Sequence, residues 1–200
     1  GGGDNEPWHD LGQRPVQGPE RARYLGRQGA AISLAGIVFM VLGGALEASA
    51  AVSKRFGAFT VTCDDSRHCA ASVQAVNPDK ASMFVLQRSA ESRALWTVSI
   101  STLDVIADRD RPVSLSIDNG VDITLRPVSD YAPFVTPSDL YVVSPSALGR
   151  LMLQVLRGHT LRFSFIDMTG ASHTDRFQLD GLGAALNEID SQQGRIPGDR

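Results

Sequence analysis

From residue 57 to residue 179 apolar and polar residues alternate in short runs, and a period of two predicts β-strands with one buried face. Phe59, Val61 and Cys63 fall on one side of the first run, with Thr60 and Thr62 on the other; beyond a polar interval, Ala71, Val73 and Ala75 alternate with Ser72 and Gln74. Residues 57–75 therefore predict a β-hairpin, whose loop Asp64-Asp65-Ser66-Arg67-His68 is pinched at its ends by Cys63 and Cys69. Asn77-Pro78-Asp79-Lys80 is a turn by composition, and Met83-Phe84-Val85-Leu86 reads as a strand buried on both faces. Trp96, Val98 and Ile100 alternate next. After the break at residues 108–112, so do Val113, Leu115 and Ile117, then Val121, Ile123 and Leu125 beyond Asp118-Asn119-Gly120. Asn-Gly between two alternating runs is a strong hairpin signal.

The pattern changes over residues 126–144, where Pro127, Pro133 and Pro137 are spaced among Tyr131, Phe134 and Tyr141. Proline removes ladder donors, so this segment is expected to be a loop or an irregular sheet edge. Ser144-Pro145 then opens a helix, serine as N-cap and proline at the first helical position, with Leu148, Leu151, Met152, Val155 and Leu156 as its apolar stripe. Residues 160–166 and 173–179 predict a third hairpin around Asp167-Met168-Thr169-Gly170. Asp180 is expected to cap a closing helix carrying Leu182, Leu186 and Ile189, which Gly194 stops. About seven strands and two helices, with the strands in hairpin series, give an α+β class dominated by antiparallel sheet, in a sandwich or partly closed barrel.

The first fifty residues lie outside this pattern. Residues 1–29 are rich in Gly, Pro, Gln and charge and are expected to be a disordered polar extension. Arg21, Arg23 and Arg27 then precede an uncharged run of roughly 17 residues, 30–46, shorter than the stretch of about 20 that spans a bilayer. Ala48-Ser49-Ala50 follows with small residues where a signal peptidase reads. The basic, apolar, small-residue order is that of a secretory signal, so residues 30–50 are expected to form a signal helix cleaved after Ala50, or an uncleaved inner-membrane anchor, and residues 51–200 an exported domain. In an oxidising envelope the two cysteines are expected to form a disulfide, and a cross-strand pair brings them within bonding range. Net charge is −3 with Arg and Asp scattered, which excludes the dense positive field that nucleic acid binding needs.

Candidate chemistry is sparse. Asp64, Asp65 and His68 are adjacent metal-ligand types, but a structural zinc site needs about four ligands and oxidised cysteines supply none, so solvated loop charge is the reading and no metal is expected. The strand followed by Asp180-Gly181-Leu182-Gly183-Ala184-Ala185 has too few glycines and too little chain after it for a dinucleotide fold, leaving helix entry with close packing and no cofactor. His68, His159 and His173 together with many serines leave an exported hydrolase open as the alternative, although no Gly-x-Ser-x-Gly elbow is present and no catalytic residue is assigned. The aromatics Tyr131, Phe134 and Tyr141 are the candidate binding surface, against the plainer role of covering a sheet edge.

FGAFTVTCDDSRHCAA, LGRLMLQVLRGHTLRFSF and DGLGAALNEIDSQQGR together resemble exported bacterial proteins of the domain of unknown function 1176 family. The first two segments are also similar to the invasion-associated locus B family, in which a strand ending in Cys, a short loop and a second Cys are followed by sheet and a late helix. The likeness covers most of residues 56–195, and its most specific piece is Ile189-Asp190-Ser191-Gln192-Gln193-Gly194-Arg195. A second cysteine pair of the locus B pattern, near residues 134–143, has no counterpart here. The resemblance implies an envelope location and a disulfide-bearing β-rich fold with no assigned activity. The expectation for function is an exported, non-enzymatic module that binds a protein or an envelope component and touches membrane only through an uncleaved N-terminal segment.

Overall fold

The alternating runs form two antiparallel sheets. The computed structural model describes residues 52–77, 81–91, 95–133, 136 and 138–195. The expected extension 1–29, the signal segment 30–50, Phe134 and most of the turn at 77–80 lie outside the described residues. The larger sheet begins as a meander of five strands, β1 (Val52–Phe56), β2 (Phe59–Cys63), β3 (Cys69–Gln74), β4 (Met83–Arg88) and β5 (Thr97–Ser101). Two later strands, β8 (Tyr131–Pro133) and β9 (Asp139–Val142), extend it to the order β1-β2-β3-β4-β5-β9-β8. The smaller sheet has the order β11-β10-β6-β7, from β6 (Val113–Ile117), β7 (Ile123–Leu125), β10 (Thr160–Ile166) and β11 (Ser172–Gln178). Neither closes into a barrel.

One apolar core joins the sheets. Phe59, Phe84 and Leu86 from the larger sheet and Leu115, Leu161, Phe163 and Phe177 from the smaller are fully buried in a single cluster. The Phe84 and Phe177 rings meet across it, with centroids 6.0 Å apart. Burying one such ring stabilises the fold by about 2–3 kcal/mol. The sheets also touch at a corner, where Ala75 bridges Phe177 and the Val76 N–H donates to the Arg176 carbonyl at 2.8 Å. Helix α1 (Pro145–Val155) starts as its sequence predicts: Ser144 Oγ accepts from the Ala147 N–H at 3.4 Å, and Ala147, Leu151 and Val155 face the core. Helix α2 (Leu182–Gln192) packs on the β1–β3 end with Leu182, Ala185, Leu186 and Ile189. No helix among the described residues is long and apolar enough to cross a membrane.

Three local expectations are corrected, and for the proline-spaced segment the sheet-edge alternative holds. Strand β4 buries one face, Phe84 and Leu86, while Met83 and Val85 are only half-buried, because its other face is the outer side of the sheet. The proline-spaced segment contains two short strands, and β8 tolerates Pro133 because an outermost strand has a row of N–H groups with no ladder to serve. In the β6–β7 turn the positive φ angles fall on Asp118 (52°) and Asn119 (99°), one position earlier than an Asn-Gly pair implies. The reason is a side-chain tie: the Asp118 carboxylate accepts from the His159 and Thr160 N–H groups at 2.8–3.1 Å and pins the turn to the start of β10. Finally, α2 begins at Gly181 (φ 89°) with no side-chain cap, so Asp180 is not its N-cap; instead its carbonyl accepts from the Ala58 N–H at 2.9 Å.

The hairpin of residues 57–75 is present in the expected register, with Cys63 opposite Cys69, Cα atoms 4.1 Å apart and the sulfurs bonded. Both cysteines are buried and belong to the core rather than to the loop. Closing so short a loop removes little denatured-chain entropy, so replacing both with Ser should lower stability by about 2 kcal/mol without unfolding the domain. Urea denaturation of the double variant beside the parent measures this. Two titratable thiols in the folded parent would contradict the bond itself.

Candidate functional site

Around the disulfide the chain builds a structural clasp. The loop begins as a turn in which the Arg67 N–H donates to the Asp64 carbonyl at 2.9 Å, and Asp64 Oδ1 accepts from the His68 N–H at 2.8 Å. Asp64 is thus occupied in closing the loop, and among the described residues no group of three His, Cys, Asp or Glu side chains is placed to hold a metal. Arg67 takes φ 59°, a left-handed conformation uncommon outside Gly, Asn and Asp. Its carbonyl accepts from Gln193 Nε2 at 2.9 Å, and the same amide also reaches the Arg88 carbonyl at 2.9 Å. Arg88 donates to the fully buried Asp190 at 3.0 Å and lies over the Trp96 ring, 5.2 Å from its centroid. Arg195 adds hydrogen bonds to the carbonyls of Ser89 and Glu91. The segment 189–195, the most distinctive piece of the sequence, therefore fastens the end of α2 to the disulfide hairpin and to the end of β4.

The three histidines are each near an aspartate, at separate places. His68 Nδ1 is 3.5 Å from Asp64, His159 Nδ1 is 3.5 Å from Asp180, and His173 Nε2 is 2.7 Å from Asp167. His159 and His173 lie at opposite ends of the β10–β11 hairpin, and no serine hydroxyl hydrogen-bonds to any of the three imidazoles among the described residues. The Asp167–His173 pair is the most ordered: the carboxylate also accepts from Thr169 Oγ1 at 2.6 Å and from the Thr169 and Ala171 N–H groups at 2.8 and 2.9 Å. The Thr169 hydroxyl, then the His173 ring, then these amides hold the Asp167 carboxyl well below the usual carboxylate range. His173 also stacks on Phe165, with centroids 5.1 Å apart. This is the architecture of a tight hairpin turn: the hydrogen bonds of the Asp167 carboxylate stay inside the hairpin it closes, while its backbone bridges Ala107.

Of the three aromatics, Tyr131 is not at the surface. It is buried, and its hydroxyl donates to the Arg111 carbonyl at 2.6 Å; burial, with the nearby charges of Asp108 and Asp110, pushes the phenol up to about 12. The ring closes the core because β8 pairs with β9 so that Tyr131 faces inward beside Val142. Tyr141 is half-buried on the opposite face of β9, where burial and then the Asp139 charge raise its phenol while Ser99 donates a hydrogen bond that lowers it. Phe134 lies outside the described residues.

Residues 53–198 match the family model described as "Protein of unknown function (DUF1176)". The chain belongs to this family. A solved structure similar to this DUF1176 protein is that of invasion associated protein B from Bartonella henselae, at 16% identity and a TM-score of 0.52, covering 72% of this chain and 99% of that one. At that identity the likeness concerns the fold. No curated protein matches.

The surface that sequence reading missed in this DUF1176 chain is the outer face of the smaller sheet. Strand register puts Arg162 of β10 directly opposite Arg176 of β11 on one side and Ser116 of β6 on the other. An adjacent row across the sheet is Thr174, Ser164, Ser114 and Thr124, and on the other side Gln178 pairs with Thr160. Ser116, Asp118, Asn119, Thr160, Arg162 and Arg176 line an open groove of about 310 Å³. Arg162 Nε donates to Ser116 Oγ at 3.0 Å, and its Nη2 is 3.9 Å from Asp122. Alternation identifies these residues as outward-facing from sequence. The Arg162–Arg176 pair belongs to a hairpin legible in the sequence, but their meeting with Ser116 is invisible there, because β6 and β10 are neighbours in space and far apart in the chain.

Proposed function

We propose that this protein is exported to the bacterial envelope and acts there as a non-enzymatic binding module, engaging an envelope component through the outer face of its smaller sheet. The observation that carries the binding reading is the groove in which Arg162 and Arg176 are opposed across neighbouring strands. Like charges placed directly across a ladder repel, so this pair is complementary to a negatively charged group. Two features support export: the basic, apolar and small-residue order of residues 21–50, and the oxidised pair Cys63–Cys69, the state of cysteines in oxidising compartments.

Expression in a bacterial host with its own export machinery, followed by fractionation and mass spectrometry, tests the location. The expected product is a periplasmic or secreted chain that begins at Ala51 and has no free thiol. A chain that remains in the cytosol with both cysteines reduced overturns the export reading.

A further inference from the structure

We infer that the groove between Arg162 and Arg176 binds the acidic substituents of an anionic polysaccharide, that is, sulfate, phosphate or carboxylate groups carried on a sugar chain. The inference rests on the binding reading above and names its ligand. A guanidinium is a planar fork of donors that matches an oxyanion, and two of them side by side present that fork twice. The local carboxylates leave this function open. Asp118 is occupied by the backbone N–H groups of His159 and Thr160, and Asp122 reaches only Arg162, at 3.9 Å. Arg176 is exposed and its guanidinium has no hydrogen-bond or ion-pair partner among the described residues. An oxyanion seated between the two arginines would relieve their mutual repulsion, which makes the site complementary to negative charge.

The surroundings choose the class of molecule. On either side of the arginine row lie hydroxyl and amide side chains, Thr160 and Gln178 on one side and Ser164, Ser114, Thr174 and Thr124 on the other. Each hydroxyl both donates and accepts, as a sugar hydroxyl requires of its partner. These rows carry no aromatic side chain of the kind that anchors protein interfaces, and no large apolar side chain of the kind that inserts into a lipid surface. A shallow polar face with two central cations therefore fits a hydrated, charged polymer better than a protein or a membrane.

Calorimetric titration of the full chain with heparin, as a sulfated polysaccharide, and with polygalacturonate, as a carboxylated one, tests this, with neutral dextran and phosphatidylglycerol vesicles as comparators. Both acidic polymers are expected to bind, more weakly as salt rises, and dextran is not. The double variant Arg162→Gln/Arg176→Gln should lose about tenfold in affinity while keeping the parent's Tm, since each arginine supplies a charge-assisted pair. Arg55→Gln/Arg150→Gln, which removes the same charge from exposed positions on β1 and α1 that do not line the groove, should lose less than about twofold. Asp122→Asn should tighten binding by about twofold to threefold by removing a competing carboxylate from Arg162.

Equal losses in the two double variants, equal binding of dextran, preference for the vesicles, or no binding by the parent would each overturn the inference. The two readings fail separately. A chain that is exported and ignores both polymers loses this ligand and keeps its location, whereas a cytosolic chain that binds them keeps the ligand site and loses the envelope.

Discussion

Replacing Asp190 with Ala lowers stability by about 3–5 kcal/mol, read as an earlier midpoint in urea denaturation with an unchanged slope. Asp190 is fully buried on α2, and Arg88, itself nearly buried, donates to it from the end of β4 at 3.0 Å. Deleting the carboxylate takes the Asp190 counter-charge away from a guanidinium that water reaches poorly, and that lost compensation dominates the cost. Removing both charges together, as Arg88→Met/Asp190→Leu, should therefore recover much of the loss, because apolar residues of similar volume no longer leave one charge unmatched. A single Asp190→Ala change costing less than about 1 kcal/mol would show instead that the pair behaves as a surface salt bridge.

The second large effect is a contrast between two glycines. Gly181 at the entry to α2 has φ 89°, and a Cβ there would lie 2.1 Å from the Phe56 carbonyl oxygen. Opposite it, Gly57 has φ 57°, and its Cβ would lie 2.5 Å from the Asp180 carbonyl oxygen. Each glycine thus lets the other segment's backbone approach, and backbone cannot swing aside as a flexible side chain can. Gly181→Ala combines a left-handed backbone with a backbone clash, and about 3 kcal/mol of destabilisation is expected, a fall in Tm of about 10 °C. Two residues on, Gly183 has open space around its Cβ position inside the helix, so Gly183→Ala should stabilise by about 0.5–1 kcal/mol. Scanning calorimetry of the two variants reads both signs. If they move Tm in the same direction, the close approach at Gly181 is not what the helix entry depends on.

These glycines also explain why the run Asp180-Gly181-Leu182-Gly183 imitates a dinucleotide fingerprint: the first is needed for close packing, as expected of helix entry, and no phosphate need enter the account. Where structure is set by neighbours in sequence, the residues suffice to read it. The Cys63–Cys69 hairpin and the Ser144-Pro145 helix start are of this kind, since alternation, loop length and a capping hydroxyl are local properties. Where a distant element competes, the reading fails. Asp118 shifts its turn because its carboxylate serves the start of β10, and Asp180 gives no side-chain cap: its carboxylate lies beside His159, at 3.5 Å, and Gly181 takes the N-cap position. Tyr131 looked like an exposed aromatic in a proline-rich loop; pairing with β9 turns it into the core. The arginine groove needed the register of β6, β10 and β11 together, which no local pattern supplies.

The outermost strands have a consequence for how the protein meets copies of itself. An unpaired β-strand is a template on which another chain can grow a ladder, and long, flat, apolar edges drive aggregation. Here the larger sheet ends in β1, with exposed Lys54 and Arg55, and in the three-residue β8 with its proline. The smaller sheet ends in the three-residue β7 and in β11, part of whose edge is occupied by the Val76 N–H at the Arg176 carbonyl. Charge, brevity, proline and cover each blunt one rim, so the described fold presents a poor seed for cross-strand polymerisation even when crowded.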